Sequence, residues 1–438
     1  MSTGTATLLL FSVLTIVIFA GPPLALGIGF TALVVAFFLW GPASLNMVAT
    51  STLGTMLSTL LLAIPLFIFM AKFLEKSGLA EDLYDLMYHL LGRVRGGLGA
   101  GTVIICTIFA AMAGVTAAAT VSMGLIALPS MLKRGYNKNL SIGCIMAGGA
   151  LGVLIPPSVP FIVYGLVSRV SVGKLFAGAL PAGLVLSSLF IIYIIIATRI
   201  NPCLGPALPP NERLPFRKVW SKFMALVLPV FIIIAIFGAM FSGAATPTEA
   251  SAIGALGAIV SSAVQRRLSW SLVWESCTET MRITVMILWI IATATWISNV
   301  YAAISGPQFV SQVVQNLGAN RWLIMIGIQM VLIFLGCFMD VSGIIMLTVP
   351  VFDPVIRCLG FDPLWFGVLF VVNMEMSYLT PPFGVNLFYM KGIVPPGITT
   401  ADIYRSVTPF LLLQLTGLII LALVPEIVTF LPNLIFGS

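Results

Sequence analysis

Apolar residues run along this chain in long unbroken stretches, without the strict alternation of a half-buried strand or the one-sided period of a surface helix. They recur around residues 6–20, 24–40, 53–72, 98–130, 140–168, 175–198, 223–241 and 249–264. A second set follows around 283–300, 321–357, 363–394 and 407–433. A β-barrel would need short alternating segments with a polar lumen face, whereas runs such as 180–197 and 283–297 are continuous. In lipid, backbone groups must be satisfied within the segment, so helices are the spanning solution that remains. The pattern predicts an all-α polytopic membrane protein. The first run, 8–20, has no basic region before it and no small-x-small cleavage site before Leu24, and reads as a membrane segment rather than a cleaved signal.

Composition agrees. Of 438 residues 60% are hydrophobic and 8% charged, against roughly 25% charged in ordinary soluble domains. The net charge of +7 does not point to nucleic acid, because the 21 Lys and Arg are dispersed among connectors. The six cysteines sit singly, with no CxxC, and suggest neither a disulfide framework nor a zinc site. His89, the single histidine, falls in an amphipathic stretch beside Asp82, Asp85, Arg93 and Arg95 and reads as structural.

The most polar stretch, 199–222, has five basic residues, five prolines and one acid, and looks like a linker between two halves. It divides the chain into N-terminal scaffold helices (1–45), a first repeat (46–198), the linker with connecting helices (199–272) and a second repeat (273–438). The cluster Arg213, Arg217, Lys218 and Lys222 and the pair Arg266 and Arg267 are two apolar spans apart, so both fit the cytoplasmic side, as do Lys133, Arg134 and Lys138. A faint repeat supports the division. Ser77-Gly78 recurs as Ser305-Gly306, Gly92 as Gly318, Gly135-Tyr136 as Gly360-Phe361, Pro156-Pro157 as Pro381-Pro382 and Tyr164 as Tyr389, at offsets of 225 to 228 residues. Repeats with broken helices at matching places point to a secondary transporter and its binding site.

Two stretches are poor simple spans. Residues 98–130 are too long for one helix and small in the middle, at Ala113-Gly114-Val115-Thr116, which suits a re-entrant hairpin. The matching part of the second half holds Gly336, Asp340, Ser342 and Gly343 between apolar arms. An acid at such a place is costly and marks a functional candidate; the plain alternative is an Asp that caps a half-helix. Each hairpin is followed by a double proline, in GVLIPPSVPF and SYLTPPFGVN. Proline removes a donor and clashes with the preceding turn, so the helix must break there. The freed carbonyls can replace the hydration shell of a hard cation such as sodium, in keeping with an inventory of oxygen donors. Half-helix N-termini at the breaks would direct positive dipole ends at an anion, with Ser158, Thr380 and Asn386 placed to add hydrogen bonds. Glu249, after Pro247 at the start of a span, fits either an N-terminal helix charge or a binding role.

These residues resemble the large membrane subunit of the tripartite ATP-independent periplasmic (TRAP) transporters. The likeness runs along nearly the whole chain: GLAEDLY, RVRGGLGAG, LPSMLKRGY, GALGVLIPPS, GAATPTEASAIG, the Met339-Asp340 pair, GFDPLWFGV and LTPPFGVNLF. The resemblance implies a sodium-driven elevator with inverted repeats, two re-entrant hairpins and two discontinuous helices, in the bacterial inner membrane. It places a first sodium site between Gly114 and Thr116 and the break containing Gly149, Gly152 and Pro156. A second would use Asp340 and Ser342 with carbonyls near Thr380 and Pro381. It makes Thr116, Ser158, Glu249 and Asn386 candidates for contact with a small organic anion. The family often has serines at the first hairpin tip, where this chain reads MAGVTAAAT, so Thr116 or Thr120 must supply any hydroxyl. Two partners are implied besides membrane lipid: a small four-helix membrane subunit and a periplasmic substrate-binding protein. No GxxxxGK[ST] nucleotide motif occurs, and HExxH and GxSxG are absent too, so an ion gradient rather than ATP is the expected driving force and an intramembrane enzyme is disfavoured.

Overall fold

The computed structural model describes residues 2–114, 116–209, 224–316, 318–382 and 384–437. Among them it is all helix and connection, without a strand. The basic cluster Arg213, Arg217, Lys218 and Lys222 lies outside the described residues.

The chain opens with α1 (Thr3–Phe19), α2 (Leu24–Trp40) and α3 (Ser44–Met56), then α4 (Ala63–Lys76) and the amphipathic α5 (Leu79–Leu91). The first repeat core follows. The long apolar stretch folds as α6 (Gly97–Ala113) and α7 (Thr116–Lys133), turning at Gly114, where the small residues predicted a hairpin. Next comes an interrupted helix, α8 (Lys138–Ala150) and α9 (Val159–Ser168), and then α10 (Val172–Ile200). The connecting helices are α11 (Met224–Phe241) and α12 (Pro247–Val264), leading to α13 (Trp270–Ala303) and the short α14 (Gly306–Asn316). The second core repeats the first: α15 (Arg321–Gly336) and α16 (Val341–Cys358) form the hairpin, α17 (Pro363–Leu379) and α18 (Val385–Ile393) the interrupted helix, and α19 (Thr400–Leu423) the closing span before α20 (Glu426–Phe436).

A shift of 225 residues carries α7 onto α16 residue for residue and brings α6, α8, α9 and α10 over α15, α17, α18 and α19. The matching extends to the turns, where Gly135 and Gly360 both take positive φ, 76° and 73°. The peptide bonds Pro156–Pro157 and Pro381–Pro382 are both cis. Among the described residues, six helical runs are long and apolar enough to cross a membrane: 24–56, α7, α10, α13, α16 and α19. Of the half-helices at the two breaks, α8, α9 and α18 are shorter than a bilayer requires.

The repeats are interlocked. The outgoing arm of the first hairpin, α7, packs on α18 of the second repeat, and the outgoing arm of the second, α16, packs on α9 of the first. α19 crosses α8, while α10 lies against α17. The described part of the polar stretch is bound to this core. Gly96 N donates to Gly205 O (2.9 Å), Leu208 N to Gly92 O (2.7 Å) and Asn137 N to Leu204 O (3.0 Å), and the Leu208 side chain is buried. It straps the α5–α6 turn to the α7–α8 turn.

Outside the core, α13 lies against α2, α3, α4 and α16. Trp296 Nε1 donates to Thr52 Oγ1 (2.9 Å) and Asn299 Nδ2 to Ser51 Oγ (2.6 Å), which fixes α13 to α3. At its other end, Lys76 pairs with Glu275 (3.0 Å) and Glu279 (2.9 Å). His89 faces Asp85 across one helical turn of α5, 3.3 Å away.

Candidate functional site

Four helix N-termini meet at one cavity of about 220 Å³. Thr116 and Ala117 open α7, and Val341 and Ser342 open α16, from the two hairpin tips. Val159 and Pro160 open α9, and Val385 opens α18, from the two breaks. Tyr378, Tyr389 and Lys72 complete the polar wall, and Ile283, Met286 and Ile287 of α13 close the opposite side. A helix N-terminus carries roughly half a positive elementary charge; at α16 the first three amides are already taken, by Tyr378 Oη and Asp340 Oδ2. The N-caps of α9 and α18, Ser158 and Gly384, make no side-chain capping bond. Helix N-termini can hold an anion, and four of them line this one cavity.

The first hairpin tip is seated on the first break. Gly114 has φ +60°, and a Cβ there would run into the Pro157 carbonyl oxygen, so glycine is required both for the turn and for the approach. Beside it, Thr116 Oγ1 is buried with no hydrogen-bond partner among the described residues. An orphaned hydroxyl in such a place is costly unless something else fills its coordination. Gly149 is needed for a second close contact, since a Cβ would meet the Thr120 side chain. Gly152 and Pro156 are buried in the same break. Hydroxyl and carbonyl oxygens of this kind fit a hard monovalent cation.

The second tip is tied to the second break in a related way, with Val341 N donating to Tyr378 Oη (3.2 Å). Asp340 is the N-cap of α16, and its Oδ2 accepts from Ser342 N (2.9 Å) and Gly343 N (3.2 Å). The capping alternative therefore holds, and it leaves the charge for any further role. Thr380 Oγ1 donates to Met376 O (2.9 Å), and Thr380 O accepts from Gly384 N (3.1 Å). Pro381 follows at the turn.

Three expected site residues are placed elsewhere or otherwise occupied. Ser158 is fully buried and its hydroxyl donates to Val153 O across the break. Asn386 is fully buried outside the cavity wall, donating to Met146 O (3.3 Å) and accepting from Thr120 Oγ1 (3.4 Å), and so stitches the two repeats together. Glu249 is exposed in a reciprocal capping box with Thr246, whose N donates to Glu249 Oε2 (2.7 Å). Its role in the structure is that of an N-terminal helix charge, away from the cavity.

Lys72 went unmarked in the sequence. Lys72 lines the cavity, and its ammonium pairs with Glu75 (2.8 Å) and lies 3.5 Å from Glu279. Like Asp340, Lys72 is a charge set in apolar sequence, FIFMAKFL, and carries the same signal. Among the described lining residues, Lys72 and Asp340 are the charged ones, and they oppose each other in sign.

The family described as tripartite ATP-independent periplasmic transporter, DctM component, matches residues 11–427. The chain belongs to this family. It is therefore a large permease subunit of a TRAP transporter. It is 33% identical over 396 residues to the C4-dicarboxylate TRAP transporter large permease protein of Pseudomonas aeruginosa, covering 90% of this chain and 91% of that one. It is 32% identical over 422 residues to the isethionate TRAP transporter permease protein of Oleidesulfovibrio alaskensis, covering 96% and 65%. It is 30% identical over 423 residues to the sialic acid TRAP transporter large permease protein of Vibrio cholerae, covering 96% and 97%. In fold, this TRAP permease is similar to the YdaH transporter of Alcanivorax borkumensis, with a TM-score of 0.63 at 14% identity over 89% of this chain and 90% of that one. It is also similar to MtrF of Neisseria gonorrhoeae, with a TM-score of 0.60 at 16% identity over 88% and 85%. At such identities the likeness is one of fold.

Proposed function

We propose that this permease carries a small organic anion, a carboxylate, sugar acid or sulfonate, inward across the bacterial inner membrane, driven by sodium and supplied by a periplasmic binding protein. The observation that carries this reading is the convergence of four helix N-termini and Lys72 on one cavity between the hairpins and the breaks. Positive dipole ends and an ammonium favour an anionic cargo. The relatives, named for C4-dicarboxylates, isethionate and sialic acid, support the same chemistry.

In this reading the hairpins enter the membrane from opposite sides, and they and the broken helices form a mobile unit that slides along a scaffold made of α1 to α4 and α11 to α13. Thr116 Oγ1, with carbonyls of the first break, holds one sodium. Asp340 and Ser342, with carbonyls around Thr380 and Pro381, hold a second. Bound sodium offsets the Asp340 charge, so the anion meets a net positive site only when the ions are present, and this couples the two.

The test is reconstitution of the chain with its small membrane subunit and cognate binding protein in proteoliposomes. Uptake of the binding protein's ligand is expected only with all three components and an inward sodium gradient. Uptake by the membrane chain without a binding protein would instead establish a self-sufficient anion symporter of related architecture. Uptake indifferent to sodium would remove the coupling assignment.

A further inference from the structure

A buried carboxyl lies outside the cavity and is unused by this transport scheme. Glu375 sits in α17, four residues before Leu379 ends the helix, with none of its surface exposed. Gln414 of α19 is equally buried and donates from Nε2 to Glu375 Oε1 at 3.0 Å. Two atoms of the pair have no partner among the described residues: Glu375 Oε2 and Gln414 Oε1. Both are acceptors. Turned over, the Gln414 amide would set its oxygen against Glu375 Oε1 and lose this bond, so the orientation seen is the one that serves the pair. An ionised carboxylate with a bare oxygen, sharing its pocket with a bare amide oxygen, is the arrangement that burial penalises most.

One proton removes both faults. We infer that Glu375 is held as the neutral acid, donating from Oε2 to Gln414 Oε1 while accepting Gln414 Nε2 at Oε1, a reciprocal acid–amide pair that pins the first half of the broken helix α17 to α19. The other face of α17 is fixed too, since Asn373 Nδ2 donates to Gln329 O of α15 (3.0 Å) and also to Gln329 Oε1. The half-helix leading into the second break is thus buttoned on two sides, to the hairpin and to α19. Glu375 is a positioning residue and a permanent proton site, with no part in ion coupling.

The test combines infrared spectroscopy of the full-length chain in lipid nanodiscs with uptake by the reconstituted transporter. The carbonyl band of a hydrogen-bonded carboxylic acid should be present, survive Asp340→Asn and vanish in Glu375→Gln. Glu375→Gln should keep uptake within about twofold, because two facing amides make the same pair of bonds. Gln414→Leu, which strands the acid, should lose at least about tenfold. Should Gln414→Leu fail to fold, the exchange Glu375→Gln with Gln414→Glu decides: it should restore the infrared band and near-parental uptake. A spectrum without the band, or a folded Glu375→Gln protein that no longer transports, would overturn the inference.

Discussion

At the scale of single residues, the cavity depends on groups whose structural and functional parts can be separated. Asp340 caps α16 through Oδ2, and Asn is as good an N-cap as Asp. Asp340→Asn should therefore leave folding intact while removing the charge that a cation would meet. We expect sodium-dependent uptake to need about tenfold more sodium, a loss of ~1.4 kcal/mol, with an unchanged melting temperature. Unaltered sodium dependence would reduce Asp340 to a cap. Lys72 is the complementary case. Lys72→Met keeps the stem and removes the ammonium, and the KM for the anion should rise at least about tenfold, whereas Lys72→Arg should retain most of the affinity. Equal uptake curves for the methionine variant and the parent would show that the cargo does not face Lys72.

Among elements, the critical joint is the seat of each hairpin on its break. Gly114 at φ +60° lies against Pro157 O, so Gly114→Ala meets both a disfavoured backbone region and a collision. A cost of ~1–3 kcal/mol from the backbone alone is expected, visible as a lower melting temperature in detergent together with reduced uptake. A variant as stable and active as the parent would mean that the tip does not bear on the break. The sequence made this level readable. Long apolar runs with small residues in the middle marked the turns at Gly114 and around Asp340, and the double prolines marked both interruptions. Side-chain partners remote in sequence were not readable. Nothing local says that Asn386 is committed to Met146, or that Lys72 of α4 reaches a cavity framed by residues some 270 positions later. Glu249 was ambiguous for the converse reason: its TPTE context is a capping box, a short-range motif that by itself accounts for the acid.

For the whole molecule, elevator motion requires the hairpins to slide past α13. In the present arrangement Ser298 Oγ of α13 donates to Met346 O of α16 at 3.4 Å, a contact between the proposed scaffold and the proposed mobile unit. Cysteines at these two positions, in a background lacking the six native cysteines, should be bridged by mercuric ion. Bridging should stop uptake, and thiol treatment should restore it. Full transport by the bridged protein would show that α13 and α16 travel together. By contrast, a bridge between α3 and α13, already joined through Trp296 and Asn299, should leave transport unaffected.

The exchange of partners between the repeats, α7 on α18 and α9 on α16, bears on how such a protein is made. When the first hairpin leaves the ribosome, the surface that will cover its outgoing arm has yet to be synthesised, and more than two hundred residues must follow. Until then the face of α7 around Gly124, which Ile393 and Met390 of α18 come to cover, is turned to lipid or to the insertion machinery. We expect neither repeat to fold as a self-contained unit. A transcript cut after α10 should yield a product cleared by membrane proteases, and the two halves, expressed as separate chains, should accumulate only when made together.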